Sequence, residues 1–398
     1  MTGNEFETTG DRLALKRFFA CRPGWIGMAR AGDVISLPDR TVLHAGPPVD
    51  DPASACIPII NSAAAASVFE GWTDSLDEAR KMVRNGTVTL KPAQDHNCVV
   101  PLASVLSASM AVHVVSDPAQ PDLHCFAPIN GGNGPALRLG LGDPSVVEHL
   151  RWLNGPFAEA LTSAAALPID LISVADQALS DGDDCHGRTI AATAALLPRL
   201  FPDEHDAATL PFRQFLTDGP GFFLNLWMAG VKCMLSAGAG IEGSTFISAA
   251  GSNGVTTGIK LSAAPDRWIT AEAGVPVGDC PEDIDPTDAL AAIGDSAIVD
   301  VAGMGAMAMH LASAQIAAMG RFMPEAPDHL GQKIFAGPHP AFTKSKLRSG
   351  LLAAAVTHHD SAPAISLGVL DRRGAKGRIY GGIFTPSLSL FRQAVASV

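Results

Sequence analysis

The sequence predicts an α+β protein of several domains, with an N-terminal α/β region, a helical middle and a C-terminal mixed α/β region. Three observations lead there. The chain has 398 residues, more than one hydrophobic core usually organises. Apolar residues make up 47% and charged residues 17%, which is enough material for separate cores and too little charge for disorder. The spacing of apolar residues also changes character twice, so the expected domains are 1–142, 143–237 and 238–398.

Within the first region, Leu13 to Phe19 is a short amphipathic stretch, and Arg22-Pro23-Gly24-Trp25 reads as a turn. Thr41 to His44 is a brief strand ended by Ala45-Gly46-Pro47-Pro48. Asn61 to Glu70 and Asp74 to Val83 have helical spacing, the second stopped by Asn85-Gly86. Thr87 to Leu90 and Met110 to Val115 follow as strands, and Gly131-Gly132-Asn133-Gly134 as a loop. From Pro144 the pattern is helical: Val146 to Leu167, Leu171 to Leu179, Thr189 to Leu200 and Phe222 to Ser236. A β region begins near 244, where Ser244 to Ala250 and Val255 to Leu261 flank Asn253-Gly254, a strong hairpin signal. Trp268 to Val277 is a further strand, and Val299 to Met319 a Met- and Ala-rich helix.

Composition excludes several function classes. Forty acidic against 28 basic residues give a net charge of −12, which repels nucleic acid and anionic membrane surfaces. A small anion is still admissible if cations gather locally, and Arg138, Arg188, Lys232, Lys260 and Arg267 are the candidates. The seven cysteines are widely spaced and form no C-x-x-C pair, which favours a reducing compartment. The acidic start, Met1 to Glu7, lacks the basic and apolar runs of a signal peptide, so a cytoplasmic location is expected. Gly221 to Ile241 is apolar but carries Asn225, Lys232 and several glycines, and reads as a buried helix, not a membrane span.

The densest polar segment is Asp183-Asp184-Cys185-His186-Gly187-Arg188-Thr189, ahead of a helix. Either acid suits a helix N-terminus. The same residues supply a proton carrier in His186 and a bidentate anion clamp in Arg188. No established metal spacing is present. Gly238-Ala239-Gly240-Ile241-Glu242-Gly243 has the form G-x-G-x-x-G but follows a helix and precedes a strand, the reverse of a dinucleotide site. Its glycines read as helix terminators, with Glu242, Ser244 and Thr245 displayed on a tight loop. Asp295 and Ser296 follow Gly294, where capping is the competing explanation. His44, His96 and His358 each stand near the end of an apolar segment. No G-x-S-x-G, H-E-x-x-H or Walker loop occurs.

Taken together, these segments resemble the YahG/YlbE-like family. The carriers are Gly182-Asp183-Asp184-Cys185-His186 with Arg188-Thr189, Gly240 to Thr245, the Asn253-Gly254 hairpin, Arg267-Trp268, and Gly294-Asp295-Ser296-Ala297-Ile298. Leu43 to Pro48 and Ser107 to Met110 fit as well. The resemblance spans nearly the whole chain and departs at Gly187, where Asn is usual. It departs again around Ala93 to Asn97, where only Asp95 and His96 remain of a Cys-His-rich segment, and at His358-His359-Asp360, which lacks a lysine.

The resemblance implies a carbamoyltransferase or a subunit of one, without an organic cofactor. It would move a carbamoyl group between phosphate and an oxamate- or oxalurate-like nitrogen in purine or allantoin nitrogen catabolism. Implied partners are carbamoyl phosphate or phosphate, an oxamate-like amide, an FdrA-like protein related to acyl-CoA synthetases, and a functional link to carbamate kinase, within an oligomer. Asp183, Asp184, His186 and Arg188 would be catalytic, with Asp184 orienting His186. His44, His96, Glu242, Ser244, Thr245, Asn253, Asp295, Ser296 and His358 would bind substrate. A non-catalytic scaffold subunit and a ureide or amide hydrolase are the alternatives.

Overall fold

The computed structural model describes residues 6–164 and 167–398; the first five residues of the acidic start and two residues of the expected Val146 to Leu167 helix lie outside them. The organising element is the helix Phe222–Ala237, in which every residue except Leu224 and Ser236 is buried. An all-round apolar helix must be covered on all sides. One face packs on the strands Ala111–Asp117 and Gln120–Pro128, another on Ile247–Asn253, and the N-terminal helix Thr9–Ala20 lies alongside. Among the described residues no helix is long and apolar enough to cross a membrane.

The two covering sheets each have four antiparallel strands. The first runs Gln120–Pro128, Ala111–Asp117, Gly24–Arg30, Ile169–Asp170. The second runs Ala264–Glu272, Thr256–Leu261, Ile247–Asn253, Ile293–Gly294. In the N-terminal region Thr41–His44 pairs in parallel with Thr89–Pro92, and the helices Ile57–Phe69 and Leu76–Arg84 make the crossover. Near the C-terminus, Ile365–Leu370 and Arg378–Phe384 form a hairpin flanked by Val277–Gly278. The protein is therefore mixed α+β, as its sequence predicts. The larger apolar core takes side chains from Ala14 through to Ala394; a smaller one lies among Ala31 to Leu150 with Leu290, Ile293 and Leu370.

Local chemistry explains most boundaries. Thr8 and Asp11 form a reciprocal capping box at the first helix, and Ser75 caps Leu76–Arg84. Asn253 accepts from the backbone of Val255 (3.0 Å) and Thr256 (2.8 Å), which with Gly254 at φ +83° closes the expected hairpin. Three expectations need correction, the first being the Arg22 to Trp25 turn, whose Gly24 and Trp25 instead open the strand Gly24–Arg30. Val299 to Met319 is three short pieces, Ala297–Val301, a 3₁₀ segment Gly305–Leu311 and Ser313–Met319. Gly303 (φ +102°) and Gly305 (φ +57°) stand in left-handed conformations that end the first piece. Trp268 to Val277 is likewise split, because Val277–Gly278 leaves the second sheet to pair with Arg378–Phe384.

Candidate functional site

The polar segment forms a tightly wound connection between the helices Leu171–Ser180 and Ile190–Leu200. Gly182 (φ +91°) and Cys185 (φ +59°) make the turns. The Asp183 carboxylate accepts from the backbone N–H of Ile190 (3.1 Å) and Ala192 (3.0 Å), satisfying free donors at the start of the second helix. Asp184 accepts from the backbone of His186 (2.9 Å) and Arg188 (2.8 Å), and from Gln315 Nε2 (3.1 Å). Both acids thus hold the loop, and the side chains that emerge from it are His186 and Arg188.

The carboxylate at the His186 ring is Asp300, whose Oδ2 lies 2.7 Å from Nδ1. Asp300 is itself fixed by the backbone N–H groups of Ala306 (2.8 Å) and Ser366 (3.1 Å). A Cβ on Gly305 would come within 2.3 Å of Asp300 Oδ1 and 3.0 Å of His186 Cβ, so the pair requires glycine there. Burial alone would lower the His186 pKa, but the charge and hydrogen bond of Asp300, with Asp184 behind, outweigh it and hold the imidazole above its usual range. With Nδ1 engaged, Nε2 is the nitrogen left for a ligand.

His186 and Arg188 open on a cavity of about 560 Å³. Its other walls come from distant segments: the glycine-rich loop with Asn130, Gly132 and Arg138, the Gly219–Gly221 turn, Ser296, Gln315, and the hairpin residues Ser366, Gly368 and Arg378. Arg138 donates to Asn130 Oδ1 (3.1 Å) and to the Gly132 carbonyl, and Arg378 to the Tyr380 carbonyl (3.2 Å). Among the described residues neither has a carboxylate partner; Arg188 has one, Asp183, at 3.6 Å. Burial, then the neighbouring charge of Arg378, lowers the Arg138 pKa to about 10, and burial lowers that of Arg378. A guanidinium does not release its proton under ordinary conditions, so the cavity holds permanent positive charge that an anion would stabilise.

Of the thirteen residues singled out by sequence, His186, Arg188 and Ser296 line this cavity, and Asp183 and Asp184 support it from behind. The rest are elsewhere. Ser244 and Thr245 are buried against Asp11: Ser244 Oγ (3.0 Å), Thr245 N (2.6 Å) and Thr245 Oγ1 (3.2 Å) all donate to its Oδ1. Glu242 is exposed in the neighbouring turn. Asn253 closes its hairpin, its Nδ2 donating to the Pro47 carbonyl (3.1 Å). Asp295 is fully buried and accepts from Gly46 N (2.9 Å), Gln94 Nε2 (2.6 Å) and Val100 N (3.0 Å); burial raises its pKa to about 7. His44 is buried with Nδ1 at 2.8 Å from the Ala45 carbonyl. His96 lines a shallow depression with Asp122 and His124, and His358 is exposed beside Phe6.

Sequence reasoning missed Asp300, Gln315 and Arg378, which stand in unremarkable contexts, and placed Arg138 only among scattered cations. The glycine-rich loop was the available signal for Arg138. Gly187 has a local counterpart: a Cβ there would lie 2.3 Å from Gln315 Nε2, so that amide fills the space of a side chain. Among the described residues no three His, Cys, Asp or Glu side chains are grouped to hold a metal ion.

Comparison with known proteins identifies relatives over almost the full length. The family model for the oxamate carbamoyltransferase subunit AllG matches residues 88–296. The uncharacterized protein YahG of Escherichia coli (strain K12) is 32% identical, over 97% of this chain and 84% of its own. The oxamate carbamoyltransferase subunit AllG of the same organism is 29% identical, over 95% and 94%. A crystal structure of a conserved protein of unknown function from Enterococcus faecalis V583 superposes with a TM-score of 0.91 at 27% identity, covering 98% of this chain and 96% of the other. The chain belongs to the AllG/YahG family.

Proposed function

We propose that this chain is a carbamoyltransferase subunit whose arginine-lined cavity binds phosphate and an oxamate-like amide and exchanges a carbamoyl group between them. The observation that carries the reading is the pair of guanidiniums that line one cavity and, among the described residues, have no carboxylate partner, the half-buried Arg138 and the more exposed Arg378, beside an imidazole held by Asp300. A reaction with two anionic reactants needs that much positive charge, because their mutual repulsion must be offset in one enclosed space. The relative named as an oxamate carbamoyltransferase subunit supports the reaction class.

In the direction that forms carbamoyl phosphate, a phosphate oxygen attacks the carbamoyl carbon of an oxalurate-like ureide. The C–N bond to the oxamate nitrogen breaks, and that nitrogen must gain a proton. His186 supplies it from Nε2, and the raised pKa favours the imidazolium that can do so. In reverse, neutral His186 takes the proton as the amide nitrogen attacks. Arg138 and Arg378 bind the anions, with Arg188 at the rim, and Asp183 and Asp184 position His186 and Arg188 through the backbone. An FdrA-like partner and a carbamate kinase that consumes carbamoyl phosphate complete the proposed setting.

The test is to assay the chain alone and with its FdrA-like partner for phosphate-dependent cleavage of oxalurate, detecting carbamoyl phosphate. Loss of that activity in His186→Ala supports the assignment. Unchanged transfer in the variant overturns the role of His186, and ammonia release without phosphate would make the chain a hydrolase. If the partner alone performs the transfer, the chain is a scaffold.

A further inference from the structure

The central helix passes two cavities. Leu224 near its start lines the arginine pocket, whereas Lys232 and Ser236 line a separate cavity of about 380 Å³. Eight residues of helix separate Leu224 from Lys232, or roughly 12 Å along the axis. Gln94, Asn97, Ser248 and Lys260 complete the polar wall of this second space.

Lys232 is only 5% exposed and, among the described residues, makes no hydrogen bond and no ion pair. That is unusual for an ammonium group, which is costly to bury unpaired. The carboxylates around it are already engaged. Asp95 lies 2.6 Å from Lys260 Nζ and accepts from Trp268 Nε1 (2.9 Å). Asp295 directs both oxygens to Gly46, Gln94 and Val100. Asp266, the remaining acid of the wall, is exposed. Gln94 Nε2 donates to Asp295 Oδ1 and to the Ala250 carbonyl (2.8 Å), which fixes the orientation of the amide and leaves Oε1 without a partner. Burial lowers the Lys232 pKa to about 8, which fits an ammonium largely withdrawn into the fold and reached only through the cavity.

We propose that the cavity at Lys232 is a second site, distinct from the arginine pocket, for a small oxyanion of the phosphate or carboxylate class. Lys232 supplies the charge, and Ser236 and Asn97 are the neighbouring donors, while Ser248 Oγ donates to the Lys260 carbonyl (3.4 Å). A cavity of about 380 Å³ has ample room for a compact anion. The inference does not depend on the carbamoyl-transfer reading, because it concerns occupancy of a separate cavity.

The test is calorimetric titration of the full chain with inorganic phosphate and, separately, with oxalate, which distinguishes the two chemistries. The expected result is a binding component that Lys232→Met weakens about tenfold or more and that Arg378→Met leaves unchanged. A second measurement needs no variant: acetic anhydride labelling read by mass spectrometry, in which the effective anion protects Lys232. Absence of binding by both probes overturns the proposal, as does a single component lost in both variants. Unchanged affinity in a folded Lys232→Met protein, or labelling of Lys232 unaffected by either anion, overturns it too.

Discussion

Two loops of this protein look alike in sequence and differ in what their side chains are free to do. Asp183 to Thr189 and Gly240 to Thr245 both combine glycine, an acid and hydroxyls beside a helix end. In the second loop the hydroxyls of Ser244 and Thr245 are used up on Asp11, tying the N-terminal helix to the start of a strand. In the first loop the acids bond the loop's own backbone, and His186 and Arg188 are left to face a cavity. Polar density is therefore a poor guide to a site. What distinguishes one is hydrogen-bonding capacity that the fold leaves unused.

Substitutions can test that contrast, in order of expected effect. His186→Ala should lower carbamoyl transfer by about 10²- to 10⁴-fold, because the general acid is lost, and should also lower the thermal transition, because buried Asp300 loses its ring partner. Asp11→Ala should cost stability without touching transfer. It strands buried Ser244 and Thr245 and removes a capping box, so unfolding free energy should fall by about 2–4 kcal/mol with KM unchanged in the folded fraction, as read by denaturant titration and kinetics. If Asp11→Ala instead raised KM strongly, the second loop would belong to the site.

Arg378→Met should raise KM for the anionic reactants by about 10- to 100-fold, consistent with loss of one charge-assisted contact. Gly187→Asn should displace the Gln315 amide and cost about 1 kcal/mol of stability, and Gln315→Ala combined with it should recover most of that loss.

The smallest effect concerns pH. The folded His186 pKa lies above its ordinary 6.5, so its contribution is fully present below 6.5 and is lost as pH rises through the folded value. Burial raises Asp300 as well, and its shift acts with the same sign at lower pH. Wild type should therefore lose stability relative to His186→Gln as pH rises above 6.5, measured as urea midpoints. A parallel pair of curves would remove the ionised His186–Asp300 pair.

Much of the architecture was legible because local rules and burial agreed. Thr41–His44, Phe222–Ala237 and the Asn253-Gly254 hairpin follow from periodicity and turn chemistry that the tertiary fold does not override. The Val299 to Met319 stretch was misread because helical composition masked two glycines in left-handed conformations. The Ile365–Leu370 and Arg378–Phe384 hairpin gave little signal, since its strands are rich in glycine.

The sequence by itself determined the α+β class, the family and the segment from which His186 and Arg188 emerge, because each rests on short-range spacing or an ordered set of motifs. The tertiary structure alone decided that Asp300 holds the His186 ring. It also decided that Arg138 and Arg378, 240 residues apart in the chain, share one cavity. The reason is physical: a partner across a packed core is chosen by how sheets and helices stack, and nothing in local spacing records it.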